Sequence, residues 1–219
     1  SQYKRKIFEK NGLHIKPVIL MKSKTIAESR AFFTEFIDKI SLLDEEKLES
    51  INLLNRDNII SEAFSYLKNN EISFSNFISE IKEDFAESKC MSIDSKSDNM
   101  EKQLIVNNLE DSKNEFRVIF AVDKLNEGWD VLNLFDIVRL YNTRDANHRA
   151  DKIGKTTMSE AQLIGRGARY CPFRVSNEQE FFQRKYDDDL DNPLRVCEEL
   201  YYHSVYNPKY IFELNKALE

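Results

Sequence analysis

Residues Pro17 to Met21 read PVILM, a continuous apolar run closed by the polar string Lys22-Ser23-Lys24. A strand with one wet face alternates apolar and polar side chains. An unbroken run therefore belongs to a strand covered on both faces, as in a parallel sheet between helical layers. Phe116 to Val122, FRVIFAV, and Phe135 to Tyr141, FDIVRLY, repeat the pattern, with shorter strands expected at Cys90 to Ile93 and Glu199 to Val205. A helix is expected from Thr25 to Ile40, where Ile26, Ser29, Phe33, Phe36 and Ile40 recur near helical spacing. Others are expected from Asn99 to Leu109, carrying Met100, Leu104, Ile105 and Leu109, and from Pro208 to Leu218. Strand, polar turn and helix in succession predict the first unit of a doubly wound α/β sheet.

With 219 residues, 41% of them apolar, the chain is long enough for one good core, and one domain with insertions is expected. Leu42 to Glu87 has no glycine and alternates apolar with charged residues, which predicts two or three amphipathic helices inserted between strands. Ser1 to Lys16 reads as a charged lead-in, helical over Tyr3 to Lys10 and stopped by Asn11-Gly12. The net charge of −6 opposes general attraction to a polyanion, so any nucleic-acid contact needs a local basic track. Cys90, Cys171 and Cys197 form no CxxC pair and the three histidines are scattered, which gives no metal-ligand spacing and predicts reduced thiols. No apolar run approaches membrane-spanning length and the start lacks the apolar core of a signal peptide, so a cytoplasmic location is expected. A start without Met and an end at Leu218-Glu219 suggest an excised fragment.

Ser159 to Phe173 reads SEAQLIGRGARYCPF. Gln162, Arg166 and Arg169, spaced i, i+4 and i+7, share one helix face, and Ala161, Leu163, Ile164 and Ala168 form an apolar back. Two arginines one turn apart repel each other unless an anion sits near them, and the planar guanidinium suits phosphate oxygens. Two plainer readings stand beside this one. Surface arginines on an amphipathic helix are commonly just solvated, and Ser159 with Gln162, or Thr157 with Glu160, has capping-box spacing. Gly165 and Gly167 each cost about 1 kcal/mol in a helix, which suggests that another backbone or a ligand comes close there.

Asp123 to Asn133, DKLNEGWDVLN, leaves an expected strand and turns at Gly128, where ligands of open α/β sheets bind. Gly128 permits a close approach and Asp130 can accept a sugar hydroxyl. The plain alternative is an Asx-stabilised loop with Trp129 as a core plug. Gly154-Lys155-Thr156 looks like the end of a P-loop, but the glycine required five residues earlier is Arg149. Asp187-Asp188-Asp189 reads as a solvated loop, since three adjacent carboxylates cannot all face one ion. His203 has no obvious carboxylate partner in sequence and is read as structural.

Gln162-Leu163-Ile164-Gly165-Arg166-Gly167-Ala168-Arg169 resembles the QxxGRxxR signature, motif VI, of superfamily 2 helicases and translocases. With Tyr170-Cys171-Pro172-Phe173 after it, the string looks like the Res subunit of type III restriction enzymes. Glu127-Gly128-Trp129-Asp130 resembles motif V of the same subunits, although the usual Thr is replaced in the Val122-Asp123 region, and the unit at Pro17 to Ile40 resembles motif IV. The resemblance implies a RecA-like three-layer α/β domain, the second of two, with a mostly parallel sheet. It divides into a motif IV unit at 16–40, a helical insertion at 41–88 and a sheet-completing part at 89–219. It makes Arg166 and Arg169 arginine fingers and places Gln162, Gly128 and Asp130 on the nucleotide side. Ser23, Lys24, Thr25, Asp123, Lys124 and Asn126 fall toward nucleic acid, with a helix cap as the equally good reading of Ser23 or Thr25.

ATP and Mg²⁺ would be held mainly by a first RecA-like domain outside this chain, since neither a Walker A nor a DExx box occurs here. The implied parent is an ATP-dependent DNA translocase and endonuclease, with DNA, that first domain and a modification methyltransferase subunit as partners. The fragment alone is expected to be inactive. The alternatives are a stand-alone DNA or RNA helicase domain and a non-catalytic scaffold of the same fold. An isolated nuclease ranks last for want of a PD and ExK-type cluster.

Overall fold

The computed structural model describes residues 1–54, 59–93, 100–122, 129, 131–142, 153–168 and 171–219. In chain order the elements are α1 (Gln2–Lys10), β1 (Val18–Ser23), α2 (Ile26–Ser41), α3 (Glu45–Leu54), α4 (Ile59–Asn69), α5 (Phe74–Asp84), β2 (Cys90–Ile93), α6 (Met100–Asn107), β3 (Val118–Val122), β4 (Leu134–Arg139), α7 (Lys155–Ala168), β5 (Tyr201–His203) and α8 (Pro208–Leu218). Short 3-10 turns lie at Glu87–Lys89 and Pro193–Glu198.

Among the described residues the strands form one five-stranded sheet in the order β2-β3-β1-β4-β5, with all four pairings parallel. The unbroken apolar runs are explained by this arrangement. Val18 and Leu20 of β1, with Ile119 and Ala121 of β3, pack on one face against Leu163 of α7 and Val106 of α6. Ile19, Met21, Val118 and Phe120 pack on the other against Phe33, Phe36 and Ile40 of α2. Helices on both faces of a parallel sheet give the three-layer α/β architecture consistent with a RecA-like domain.

The inserted segment forms three helices, α3 to α5, with their own small core of Leu48, Phe64, Leu67, Phe77 and Ile78. Ile81 joins that core to the α2 layer, since it packs against both clusters. Periodicity alone had allowed two helices or three.

α1 is more than a charged lead-in. Ile7 and Phe8 are sealed in a cluster with Phe135, Phe173 and Cys197, and Gly12 ends the helix at φ +71°, a value glycine adopts without strain. Lys4 is buried with them, donating to the carbonyls of Glu199 and Phe135, and burial pulls its pKa down to about 8. In α6 the expected face is also shifted. Of the four residues expected there, Met100 and Leu104 are exposed, whereas Ile105 packs against the core and Leu109, just past the helix end, is sealed in it beside Val106.

One irregularity in the sheet bears on the site. Leu134 pairs with Val18, but Asp136 pairs with Ile19, so Phe135 is an extra residue in β4. A bulge of this kind shifts the parity of every later side chain. Leu134 and Ile137 therefore share the α7 face, Arg139 follows Ile137 there, and Phe135 turns to the α1 cluster.

Candidate functional site

From β1 the chain runs to the β3 and β2 side of the sheet, whereas β4 is followed by β5 on the other side. The carboxyl ends of β1 and β4 therefore flank a topological switch point, where open α/β sheets bind ligands. The end of β1 supplies Ser23, Lys24 and Thr25, and α7 lies on the adjoining face.

Ser23 is fully buried with no partner for its Oγ among the described residues, and Ser29 on the first turn of α2 is in the same condition. Lys24 is exposed. Thr25 is the N-cap of α2: its side chain accepts from Glu28 N at 3.2 Å, and Glu28 Oε2 accepts from Thr25 N at 2.9 Å. This reciprocal pair satisfies two orphan amides of the helix start. The capping reading of Thr25 is therefore realised, and its exposed position leaves the loop accessible as well.

α7 begins at Lys155, so Thr157 and Ser159 lie inside the helix and neither capping box foreseen there forms. Thr157 is buried. The P-loop-like Gly154-Lys155-Thr156 is instead the start of this helix, with Gly154 N donating to Glu213 of α8 at 2.6 Å. At about 100° per residue, Glu160, Leu163, Ile164 and Gly167 share one side of the helix, while Gln162 and Arg166 lie roughly opposite. Burial follows that phase: Glu160 and Leu163 are sealed, Gln162 is exposed and Arg166 is half-buried. Ala168, expected on the apolar back, is exposed. The two glycines differ. A Cβ on Gly167 would press on Leu200 and Leu134, whereas one on Gly165 would meet nothing within 4 Å.

Arg169, and with it Asp123, Lys124, Asn126, Gly128 and Asp130, lies outside the described residues. Trp129, between two of them in sequence, is 3% exposed and donates from Nε1 to Val106 O at 3.1 Å, which is the core-plug role.

His203 does have a carboxylate partner: its Nε2 lies 3.2 Å from Asp136 Oδ1, across the β4–β5 pairing. Burial acts to raise the Asp136 pKa, while the hydrogen bond from His203 and the charges of Lys4 and His203 act to lower it. Asp187 pairs with Arg184, and among the described residues no group of three or more His, Cys, Asp or Glu is placed to hold a metal. All three cysteines are buried and free.

Sequence reasoning missed the cluster around Glu160. Its carboxylate accepts from Arg139 Nε at 3.0 Å, from the Tyr141 hydroxyl at 2.6 Å and from the Tyr210 hydroxyl at 2.6 Å. One signal was present: Arg139 is a charge within an apolar strand, and arginine is seldom sealed without a partner.

Three comparisons bear on this arrangement. The HI_1054_N family model, described as an N-terminal region, matches residues 156–219, which begin within α7 and run through β5 and α8. The chain is similar to the probable type III restriction-modification enzyme HindVIP Res subunit of Haemophilus influenzae. Identity is 32% over 174 aligned residues, covering 70% of this chain and 34% of that protein. A second H. influenzae protein, described as uncharacterized, is 46% identical over 63 residues, covering 28% of this chain and 14% of that protein. The chain thus spans about a third of the Res subunit's length and less of the second relative. No solved structure matches it.

Proposed function

We propose that this chain is the second RecA-like domain of an ATP-dependent DNA translocase and endonuclease of the type III restriction Res kind. In this reading the domain is continuous over 1–219, with its helical insertion at 41–88. The carrying observation is the polarity of α7. Its apolar side is packed on the sheet beside the switch point, while Gln162 is exposed and Arg166 half-buried at positions whose helical phase lies away from that side, which supports contact with a phosphate group presented by another domain. The similarity to a protein described as a Res subunit supports the same reading.

The residues present fit a nucleotide approached from outside the chain. The guanidinium of Arg166 and the amide of Gln162 are suited to a triphosphate, and Arg169, Gly128 and Asp130 belong to the same motifs by resemblance. A Mg²⁺-bound triphosphate held on the first RecA-like domain would supply the scissile phosphoanhydride. This domain would contribute positive charge at the transferring phosphoryl, positioning and DNA-backbone contacts, with no nucleophile of its own. Lys24 and Thr25 at the β1 end, with Asp123, Lys124 and Asn126 after β3, form the proposed DNA side, and Ser23, expected there as well, is left out because it is sealed from solvent. A modification subunit and cytoplasmic location complete the proposal, and this domain by itself would be inactive.

The test is DNA-stimulated ATP turnover by the full-length protein. Arg166→Ala should reduce kcat by about 10³-fold or more while the protein stays folded, the effect of removing an arginine finger. Unchanged turnover in the folded variant would refute the assignment.

A further inference from the structure

Glu160 has no exposed surface, yet it stands on the helix that bears Gln162 and Arg166. Its three donors come from three places: Arg139 at the end of β4, Tyr141 just beyond it, and Tyr210 on α8. The Arg139 guanidinium carbon lies 4.1 Å from the Tyr141 ring centre and 4.3 Å from that of Tyr210. The cation is thus held by the carboxylate and by two aromatic faces. Arg139 Nη1 also donates to Tyr141 O at 2.6 Å, and the Tyr202 hydroxyl meets that of Tyr210 at 2.6 Å. Burial alone would lower the Arg139 pKa, but the charge and hydrogen bond of Glu160 outweigh it and the value is raised. Burial and Glu160 push the Tyr210 hydroxyl up as well. Both donors therefore keep their protons through the neutral range.

An ion pair sealed from water is a poor way to glue a helix to a sheet, because apolar residues of equal volume commonly do as well or better. What a directional network supplies is one arrangement out of many. Leu163 would tolerate α7 turning or sliding by a fraction of a residue, whereas Glu160 would lose its donors. Gln162 is two residues on from Glu160 and Arg166 six, so on a rigid helix any rotation at Glu160 is carried to both. The bulge at Phe135 belongs to the same device, since it turns Arg139 toward α7.

We infer that Glu160, held by Arg139, Tyr141 and Tyr210, is the positioning residue that sets the helical phase at which Arg166 and Gln162 meet the nucleotide. This rests on the reading of Arg166 proposed above. Glu160 itself touches no phosphate.

The experiment measures kcat and KM for ATP in the full-length protein, together with thermal unfolding, for Arg166→Ala, Glu160→Gln and Tyr210→Phe. Phe77→Leu, in the insertion core far from α7, serves as the control for general destabilisation. Glu160→Gln keeps the volume but removes the charge facing Arg139, and should lower kcat by about 10²-fold with KM unchanged, the usual cost of a misplaced group. Tyr210→Phe removes one hydroxyl while its ring still covers Arg139, so it should lower kcat by a smaller factor. It carries the test if Glu160→Gln fails to fold. Phe77→Leu should lower the unfolding temperature and leave kcat alone. If Arg166→Ala abolishes turnover while the folded clamp variants keep wild-type kcat, the positioning role is overturned and the domain assignment stands. If Arg166→Ala leaves turnover intact, the assignment of Arg166 falls and the positioning role falls with it.

Discussion

Gly167 lets α7 lie directly on Leu200: a Cβ at residue 167 would stand 3.0 Å from Leu200 Cδ2 and 3.2 Å from its Cδ1, with Leu134 Cδ2 at 3.4 Å. Gly165, two residues earlier, has open space at the same point. Alanine gains about 1 kcal/mol over glycine in a helix interior. At residue 165 nothing opposes the gain, so Gly165→Ala should raise stability by up to that amount. At residue 167 the crowding costs about 1–3 kcal/mol and offsets or exceeds it. Urea unfolding of the two variants should place Gly167→Ala below Gly165→Ala, and the reverse order would contradict the packing. If the proposed nucleotide face is right, Gly165→Ala should nonetheless reduce ATP turnover of the full-length protein, because the space it fills lies on the side of α7 turned away from the sheet.

Asp84 and Arg117 form a buried ion pair, with Oδ2 2.9 Å from Nη1, and Arg5 joins the same carboxylate. Burial acts to raise the Asp84 pKa, but Arg117, a hydrogen bond from Gln2, and Arg5 bring it below its ordinary value. A carboxyl whose folded pKa is depressed stabilises the fold above its unfolded pKa, about 3.9, and loses that contribution as pH falls through the folded value. Asp84→Asn should therefore cost about 3–5 kcal/mol at pH 7, since it leaves Arg117 sealed without a counter-charge. The gap between variant and wild type should narrow below pH ~4. Denaturant midpoints across pH 2 to 7 check both points, and a constant gap would contradict the linkage.

Thr25 and Lys24 separate capping from ligand contact. Thr25→Ala should destabilise the chain by about 1 kcal/mol, the usual worth of an N-cap hydroxyl. Lys24 is exposed, and Lys24→Ala should change stability by no more than about 0.5 kcal/mol. In the full-length protein it should weaken DNA binding and reduce the slope of log affinity against log salt by about 1. A salt titration of binding tests this directly. An unchanged slope would remove Lys24 from the proposed DNA side.

Trp129 is the chain's single tryptophan and is buried against Val106 O. Its fluorescence should be blue-shifted when folded and move red in the same urea transition seen by circular dichroism. Trp129→Phe leaves the Val106 carbonyl unpaired in the core and should cost about 1–3 kcal/mol.

The polar ridge of α7 was legible as a pattern. Gln162 and Arg166 share a face because helical spacing is local, and Leu163 is buried for the same reason. The helix start was not legible, because Thr157 and Ser159 have the residue types of a cap but lie within the helix. The partner of His203 is not legible in the sequence because Asp136 lies 67 residues away, on the neighbouring strand. Glu160 offers locally only the spacing of half a capping box, since nothing near it in sequence shows that Arg139, Tyr141 and Tyr210 converge there.

By itself the sequence determined the layers: continuous apolar runs become buried parallel strands and amphipathic stretches become their covering helices, because burial is recorded in the spacing of neighbouring residues. The tertiary structure decided which charges meet. One extra residue in β4 sets which face Arg139 takes, and strand order sets which carboxylate faces which cation, so Glu160 with Arg139 and Asp84 with Arg117 arise from pairings between segments that no local pattern encodes.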